Sequence, residues 1–451
     1  MRFYRFLSVL FLASALCGSA WGNPFETTLK NGLKVVVKED HRAPVVTHMV
    51  WYRVGSMDEV DGASGLAHML EHMMFKGTPK VPAGEFSRRV AAAGGRDNAF
   101  TSSDYTAYHQ QIPKERLSEM MALEADRMRH LIVDPKGFAP ELRVVMEERR
   151  LRTEDNPRAL LFEQSNAVAF QTHPYRRPII GWMDDLEHMT ATDAKAWHNT
   201  WYVPNNAILV VSGDVEHEAV FRLAQQHYGV LKARPLPERR TQAEPAQKGL
   251  RRVWVKGPAE LPYLLLGWKA PKIEDMAGSV EPFALEMLAA VLDGHEAARL
   301  PRRLVREQKL ATSVGSAYDA MNRGPAMFYL YGTPAPGQTP EALEAALRGE
   351  IARIAQEGVD AAELQRARAQ IVASQVYKRD SVFGQAMELG MMGMLGFGQK
   401  DIDTWLARLE AVTAAEVQAA AQTWFGDDTL TVGVLQPVSI SGERESEEKN
   451  R

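Results

Sequence analysis

The chain has one cysteine in 451 residues, Cys17. A single thiol closes no disulfide within the chain and builds no cysteine-based zinc site, so any metal must rest on histidine and carboxylate. Long apolar runs are missing too. The stretch from Phe6 to Leu16 follows the basic segment Met1 to Arg5 and precedes the small residues Ser19-Ala20-Trp21-Gly22. It is too short to span a bilayer and is predicted to belong to a secretory signal peptide, residues 1–22, whose removal takes Cys17 with it and sends the mature chain to a bacterial periplasm. An excess of charge is also absent: a net charge of -4 gives no electrostatic case for a nucleic-acid partner.

What the chain does have is length and apolar content for more than one core, with 45% hydrophobic residues. Two segments repeat each other. Leu186-Glu187-His188-Met189-Thr190-Ala191-Thr192-Asp193 matches Leu409-Glu410-Ala411-Val412-Thr413-Ala414-Ala415-Glu416, Thr200-Trp201 and Thr423-Trp424 follow at equal distance, and each copy then enters a β-rich strand. The repeat predicts two copies of one α+β unit, residues 23–233 and 250–438, joined by the Pro-containing polar linker 234–249. A Ser-, Glu- and Lys-rich tail, 439–451, is predicted to be disordered.

Within the first unit, Asn31-Gly32 between two β-rich runs predicts a hairpin, and Val45 to Val54 a further strand. Gly84 to Ala93, Lys114 to Leu131, Ala139 to Arg152, Pro157 to Phe170 and Thr190 to Trp201 read as helices, while Asn98 to Gln110 reads as strand. In the second unit, Gly390 to Gly398 is Gly-rich and apolar; it reads as helix ends and tight packing, with a binding loop as the alternative.

The chemistry gathers in Gly65-Leu66-Ala67-His68-Met69-Leu70-Glu71-His72-Met73. In a helix, His68, Glu71 and His72 share one face: two imidazoles one turn apart can hold one ion, with a carboxylate beside them able to act on water. This His-x-x-Glu-His order is the inverzincin signature. Two imidazoles leave a site incomplete, so a carboxylate or a third His must come from elsewhere. The best supplier is the helix carrying Glu141 and Glu148, seven apart on one face. The remaining histidines show no ligand pattern and read as structural or surface residues.

With 75 residues between His72 and Glu148, the chain resembles the pitrilysin and mitochondrial-processing-peptidase family of zinc peptidases. The resemblance extends to Asn98-Ala99-Phe100-Thr101, similar to that family's edge strand. It implies one Zn2+ per chain held by His68, His72 and Glu148, with Glu71 as general base and Glu141 behind the ligands. Asn98, Ala99 and Phe100 would pair with a substrate strand. The fold it implies is α+β: two homologous α/β-sandwich-like halves, each a mixed or antiparallel sheet flanked by helices, assembled as a clamshell.

The implied function is a zinc metalloendopeptidase acting on peptides or unfolded segments. A non-catalytic peptide-binding or assembly subunit is the alternative. In the second half the helix from Phe283 to Leu292 replaces the metal helix and carries no ligand set, so that half is read as degenerate. Many relatives hold substrate with an Arg and a Tyr from this half; here Arg306 is kept but Thr312 stands near the Tyr position. That departure implies a dimer, either of like chains or with a homologous subunit supplying an Arg/Tyr pair, and Arg306 is carried forward as a substrate-binding candidate.

Overall fold

A computed structural model describes residues 24–240 and 242–438. The predicted signal peptide and the predicted C-terminal tail lie outside the described residues. In the first half these run β1 (Phe25–Thr28), β2 (Lys34–Glu39), β3 (Val45–Tyr52), α1 (Leu66–Met73), α2 (Glu85–Ala92), β4 (Arg96–Thr101), β5 (Thr106–Pro113) and α3 (Leu117–His130). There follow α4 (Pro135–Arg149), α5 (Pro157–Ala169), α6 (Met183–His188), α7 (Ala191–Trp201), β6 (Ala207–Gly213) and α8 (His217–His227). The second half comprises β7 (Arg251–Pro258), β8 (Tyr263–Ala270), α9 (Glu281–Asp293), β9 (Ala311–Tyr318) and β10 (Ala326–Pro334). It closes with α10 (Pro340–Glu357), α11 (Ala361–Asp380), α12 (Val382–Leu395), α13 (Gln399–Ala411), α14 (Ala414–Thr423) and β11 (Leu430–Val438).

The sheets carry the repeat that the sequence shows. The first has strand order β1-β2-β6-β3-β5-β4 and the second β7-β11-β8-β10-β9. Leaving out β1, the two orders superpose strand for strand: one parallel pair, β2 with β6 or β7 with β11, followed by antiparallel neighbours. The repeated Thr residues do the same work in both copies. Thr190 and Thr413 each cap a helix, with Asp193 and Glu416 completing the reciprocal hydrogen bonds.

One stretch departs from its sequence reading. Asn98 to Gln110 is two strands, because the Ser102 hydroxyl accepts the backbone N–H of Asp104 and Tyr105 and folds the chain into a tight turn. β4 consequently lies at the open edge of the first sheet.

The central strands of both sheets are apolar on two faces, which requires cover on two sides. In the first sheet Val35, Val37, Val50, Leu209 and Val211 pack under α1, α3, α7 and α8, whereas Val36, Met49, Trp51, Ile208 and Val210 join the core of the second half. The cover for that second face is α12, laid on β3 and β6; in return α5 of the first half lies on β7 and β11. Each half thus lends one helix to the other's sheet. The linker is tied to both: Arg239 Nε donates to Asp58 (2.9 Å), and Glu244 accepts from the backbone of Gln171, Thr172 and His173 and from Lys269.

The Gly-rich run Gly390–Gly398 is the end of α12, its left-handed cap at Gly396 and the N-cap of α13 at Gly398, and its helical glycines allow close approach. A Cβ at Gly390 would stand 2.0 Å from Cε2 of the fully buried Trp51. For Gly390→Ala we expect overpacking of roughly 1–3 kcal/mol to outweigh the helix propensity gained, about 1 kcal/mol. The checkable outcome is a lower melting temperature with unaltered far-ultraviolet circular dichroism.

Candidate metal centre

α1 is an apolar helix whose Leu66, Met69, Leu70 and Met73 anchor it in the first core, leaving one polar face to the outside. Its start is fixed by two features that the sequence reading passed over. Gly65 adopts φ +90°, and a side chain there would meet the Ile180 carbonyl at 2.6 Å. The buried Glu59 accepts the backbone N–H of Gly65 (2.9 Å) and Ala67 (2.8 Å), satisfying the first turn next to His68. Burial pushes the Glu59 carboxyl up to about 8, against the pull of those two hydrogen bonds.

α4 begins at Asp134, whose side chain caps Gly137 N, and it presents Glu141 and Glu148 to α1. Glu148 Oε2 stands 3.2 Å from His72 Nε2, and Glu148 Oε1 stands 3.8 Å from His68 Nε2. One ligand atom from each of His68, His72 and Glu148 lies within 4.8 Å of the others. Glu147 faces away, exposed and paired with Arg150. The His72 Nδ1 contact with Glu141 Oε1, 2.8 Å, places the imidazole proton there and turns the Nε2 lone pair toward Glu148. Lys76 also pairs with Glu141. Although burial pushes the Glu141 carboxyl up, the hydrogen bonds from Lys76 and His72 hold it below its ordinary value.

These residues fit a divalent metal. Separations of 3.2 and 3.8 Å between nitrogen and oxygen bracket the edge of a tetrahedron with arms of about 2.0–2.1 Å, roughly 3.3 Å. His68 Nδ1 is buried with no hydrogen-bond partner among the described residues. Burial, with His72 and Arg152 nearby, brings the His68 imidazole down to about 3, so it is neutral at physiological pH, the form in which an imidazole can ligate a metal. For Glu141→Ala we expect metal affinity to fall about 10- to 100-fold, read by competition with a chelator.

Glu71 stands beside the cluster and outside it. Its Oε2 accepts a hydrogen bond from Thr101 Oγ1 on β4 (2.6 Å), and burial raises its pKa against that bond. All four residues open onto a cavity of about 790 Å³, with Asn98, Ala99 and Phe100 on one wall and α5 on the other. Beyond α4 the helix widens into a π-helical turn, Arg150–Glu154, which brings Arg152 Nη1 to 2.6 Å from Glu148 Oε1. Arg152 lies four residues after Glu148, a spacing that the sequence reading could have used; Thr101 and Glu59 carry no comparable local signal.

Arg306 is not brought to this cavity. It sits in the turn Pro301–Glu307 and donates to the Glu296 carbonyl, while Thr312, on β9, donates to the Thr333 carbonyl. That hydrogen bond to Glu296, in the segment before the element, holds the Arg306 guanidinium there. The matching face of α9 buries Leu285 and Leu288 and holds no ligand set.

Fold and site together define a two-half α+β protein with, among the described residues, one candidate metal centre in the first half and none in the second. The first half matches the family model of insulinase, peptidase family M16, over residues 34–182, and the second matches the M16 inactive domain over 188–371. The chain belongs to peptidase family M16. It is 35% identical over 346 residues to the zinc protease PqqE of Helicobacter pylori, covering 75% of this chain and 76% of that protein. An uncharacterized zinc protease of Mycobacterium leprae is 28% identical, with 88% of each chain covered. Among solved structures, a protease from Helicobacter pylori superposes with a TM-score of 0.87 at 30% identity, over 92% of this chain and 99% of that one. The periplasmic protease PqqL of Escherichia coli shares the fold, with a TM-score of 0.78 at 19% identity over 95% of this chain and 50% of that one. No helix among the described residues is long and apolar enough to cross a membrane.

Proposed function

We propose that the chain is an exported zinc metalloendopeptidase that cuts peptides or unfolded segments. The observation that carries this reading is the convergence of His68, His72 and Glu148 beside a carboxylate that is not one of them, in a cavity walled by a free strand edge. His68, His72 and Glu148 would hold one Zn2+, oriented by Glu141. Zinc so held supplies Lewis acidity, which brings the pKa of water toward neutrality and polarises a carbonyl.

The protein's own part is positional and protonic. Glu71 takes a proton from the attacking water at its carboxylate and passes it to the leaving amine, while the Thr101 hydroxyl fixes its orientation. Asn98, Ala99 and Phe100 hold the substrate backbone as an added strand, so main-chain hydrogen bonds give affinity and side-chain pockets give preference. With Arg306 away from the cavity, the Arg/Tyr pair of many relatives would come from a second subunit, alike or homologous.

The test is hydrolysis of quenched fluorescent peptides by the purified chain, with metal content measured in parallel. Cleavage that a chelator stops and zinc restores supports the reading. One bound zinc with no cleavage by the chain, alone or with its co-purifying partner, would establish a binding subunit instead.

A further inference from the structure

Beside the metal cavity lies a second chamber of about 740 Å³, between the two halves. The chambers are continuous: Ser103, Ala159, Phe162, Asn166, Tyr175 and Ile179 line both. The second has walls from α5, from the β4–β5 turn, and from β8, β9 and β10 of the half without ligands. Several of its polar side chains are engaged within the protein, among them the Asp319 carboxylate, which accepts from Met321 N. Asp104 accepts from the Tyr175 hydroxyl and from Arg323 N, Asn166 accepts from the Tyr329 hydroxyl (2.9 Å), and Arg158 stacks on Tyr263 with its guanidinium 4.6 Å from the ring centre. What remains to meet a ligand is mainly apolar and aromatic: Phe162, Ile179, Tyr263, Met327, Tyr329 and Tyr331. Phe162 stands at the junction of the chambers, 45% exposed, with its ring 5.5 Å from that of Tyr329.

The direction of β4 says which part of a peptide reaches this chamber. β4 runs from Arg96 to Thr101 and its chain continues through Ser103 along the chamber wall. Its neighbour β5 is antiparallel to it, and an added strand that continues the antiparallel sheet runs from the Thr101 end toward Arg96. Residues on the N-terminal side of the scissile bond then extend past Thr101 and Ser103.

Resting on the peptidase reading above, we infer that the second chamber is a specificity subsite. It takes a large apolar or aromatic side chain several residues N-terminal to the cleaved bond, and Phe162 is its selecting residue. The half that lost its metal ligands thereby keeps a part in substrate choice, through β8 and β10 and through the α5 helix lent to it.

The experiment uses the zinc-loaded full chain and peptides that carry a single Phe in an otherwise Ala and Ser background, moved position by position across the cleavage site. The expected result is a rise of about 10- to 100-fold in kcat/KM for Phe at one position on the N-terminal side. That ratio should collapse toward one in Phe162→Ser, and Phe162→Lys should shift the preference toward Glu at the same position. Phe162 is partly exposed on α5, so both variants are expected to fold. The same peptides are also titrated onto the Glu71→Gln chain by fluorescence anisotropy, where the Phe preference should appear in Kd whether or not any peptide is cut. Absence of cleavage both by the chain alone and with its co-purifying partner would overturn the peptidase reading alone. Cleavage or binding indifferent to the N-terminal side, a preference on the C-terminal side, or a preference unmoved by Phe162→Ser would overturn the subsite.

Discussion

Glu71→Gln should give a chain that retains its zinc and hydrolyses peptides about 10²- to 10⁴-fold more slowly, the range that a positioned general base contributes. Glutamine keeps the shape of the side chain and still offers an oxygen to Thr101 Oγ1, so the contact with β4 survives. It cannot accept a proton, and the nearby carboxylates are engaged: Glu148 faces His68 and His72, Glu141 is held by His72 and Lys76, and Glu163, on the same cavity, is paired with Arg149 through both oxygens. Because Glu71 stands outside that cluster, metal content by atomic emission should match the wild type. Undiminished turnover would remove Glu71 as the base, and loss of zinc with activity would make it a ligand.

His68→Ala should lose the metal itself. The substitution leaves one imidazole and one carboxylate, and we expect affinity to fall by more than the 10- to 100-fold of an outer partner. The readout need not be activity. A ligand at 100 times its Kd stabilises the chain it binds by about 2.7 kcal/mol, so zinc should raise the melting temperature of the wild type and leave that of His68→Ala unchanged. His72→Ala should behave alike. An equal zinc-induced shift in His68→Ala would show that the cluster is not the binding site.

The exchange of helices bears on how a substrate could enter. α12 is packed on Trp51 and Ile208, and α5 on Gly433, where a Cβ would lie 2.3 Å from Ser165 Oγ. Parting the halves would uncover both second faces at once, at a cost set by the apolar area exposed. Arg323 adds a paired contact across the same boundary, its two terminal guanidinium nitrogens donating to Asp58 at 2.8 and 2.9 Å. Access to the candidate metal cavity therefore falls to its open side, along the edge of β4.

By itself the sequence determined the features written in local spacing. Three polar residues at helix positions i, i+3 and i+4 must share a face whatever surrounds them, so His68, Glu71 and His72 were legible without coordinates. Glu141 and Glu148 were legible for the same reason, as was the repeat that matches Leu186–Asp193 with Leu409–Glu416. Contact across distance was left to the tertiary structure. An apolar α12 is compatible with either sheet, and only packing against Trp51 decides which one it covers. Asn98 to Gln110 has strand character throughout, and the turn within it needs the Ser102 hydroxyl to meet two backbone N–H groups. Glu59, Thr101 and Arg306 carry no periodic signal, since their roles rest on which backbone or side chain comes within 3 Å after folding. Spacing along a helix is fixed by its own geometry, whereas the partners of a lone polar residue are fixed by how the whole chain packs.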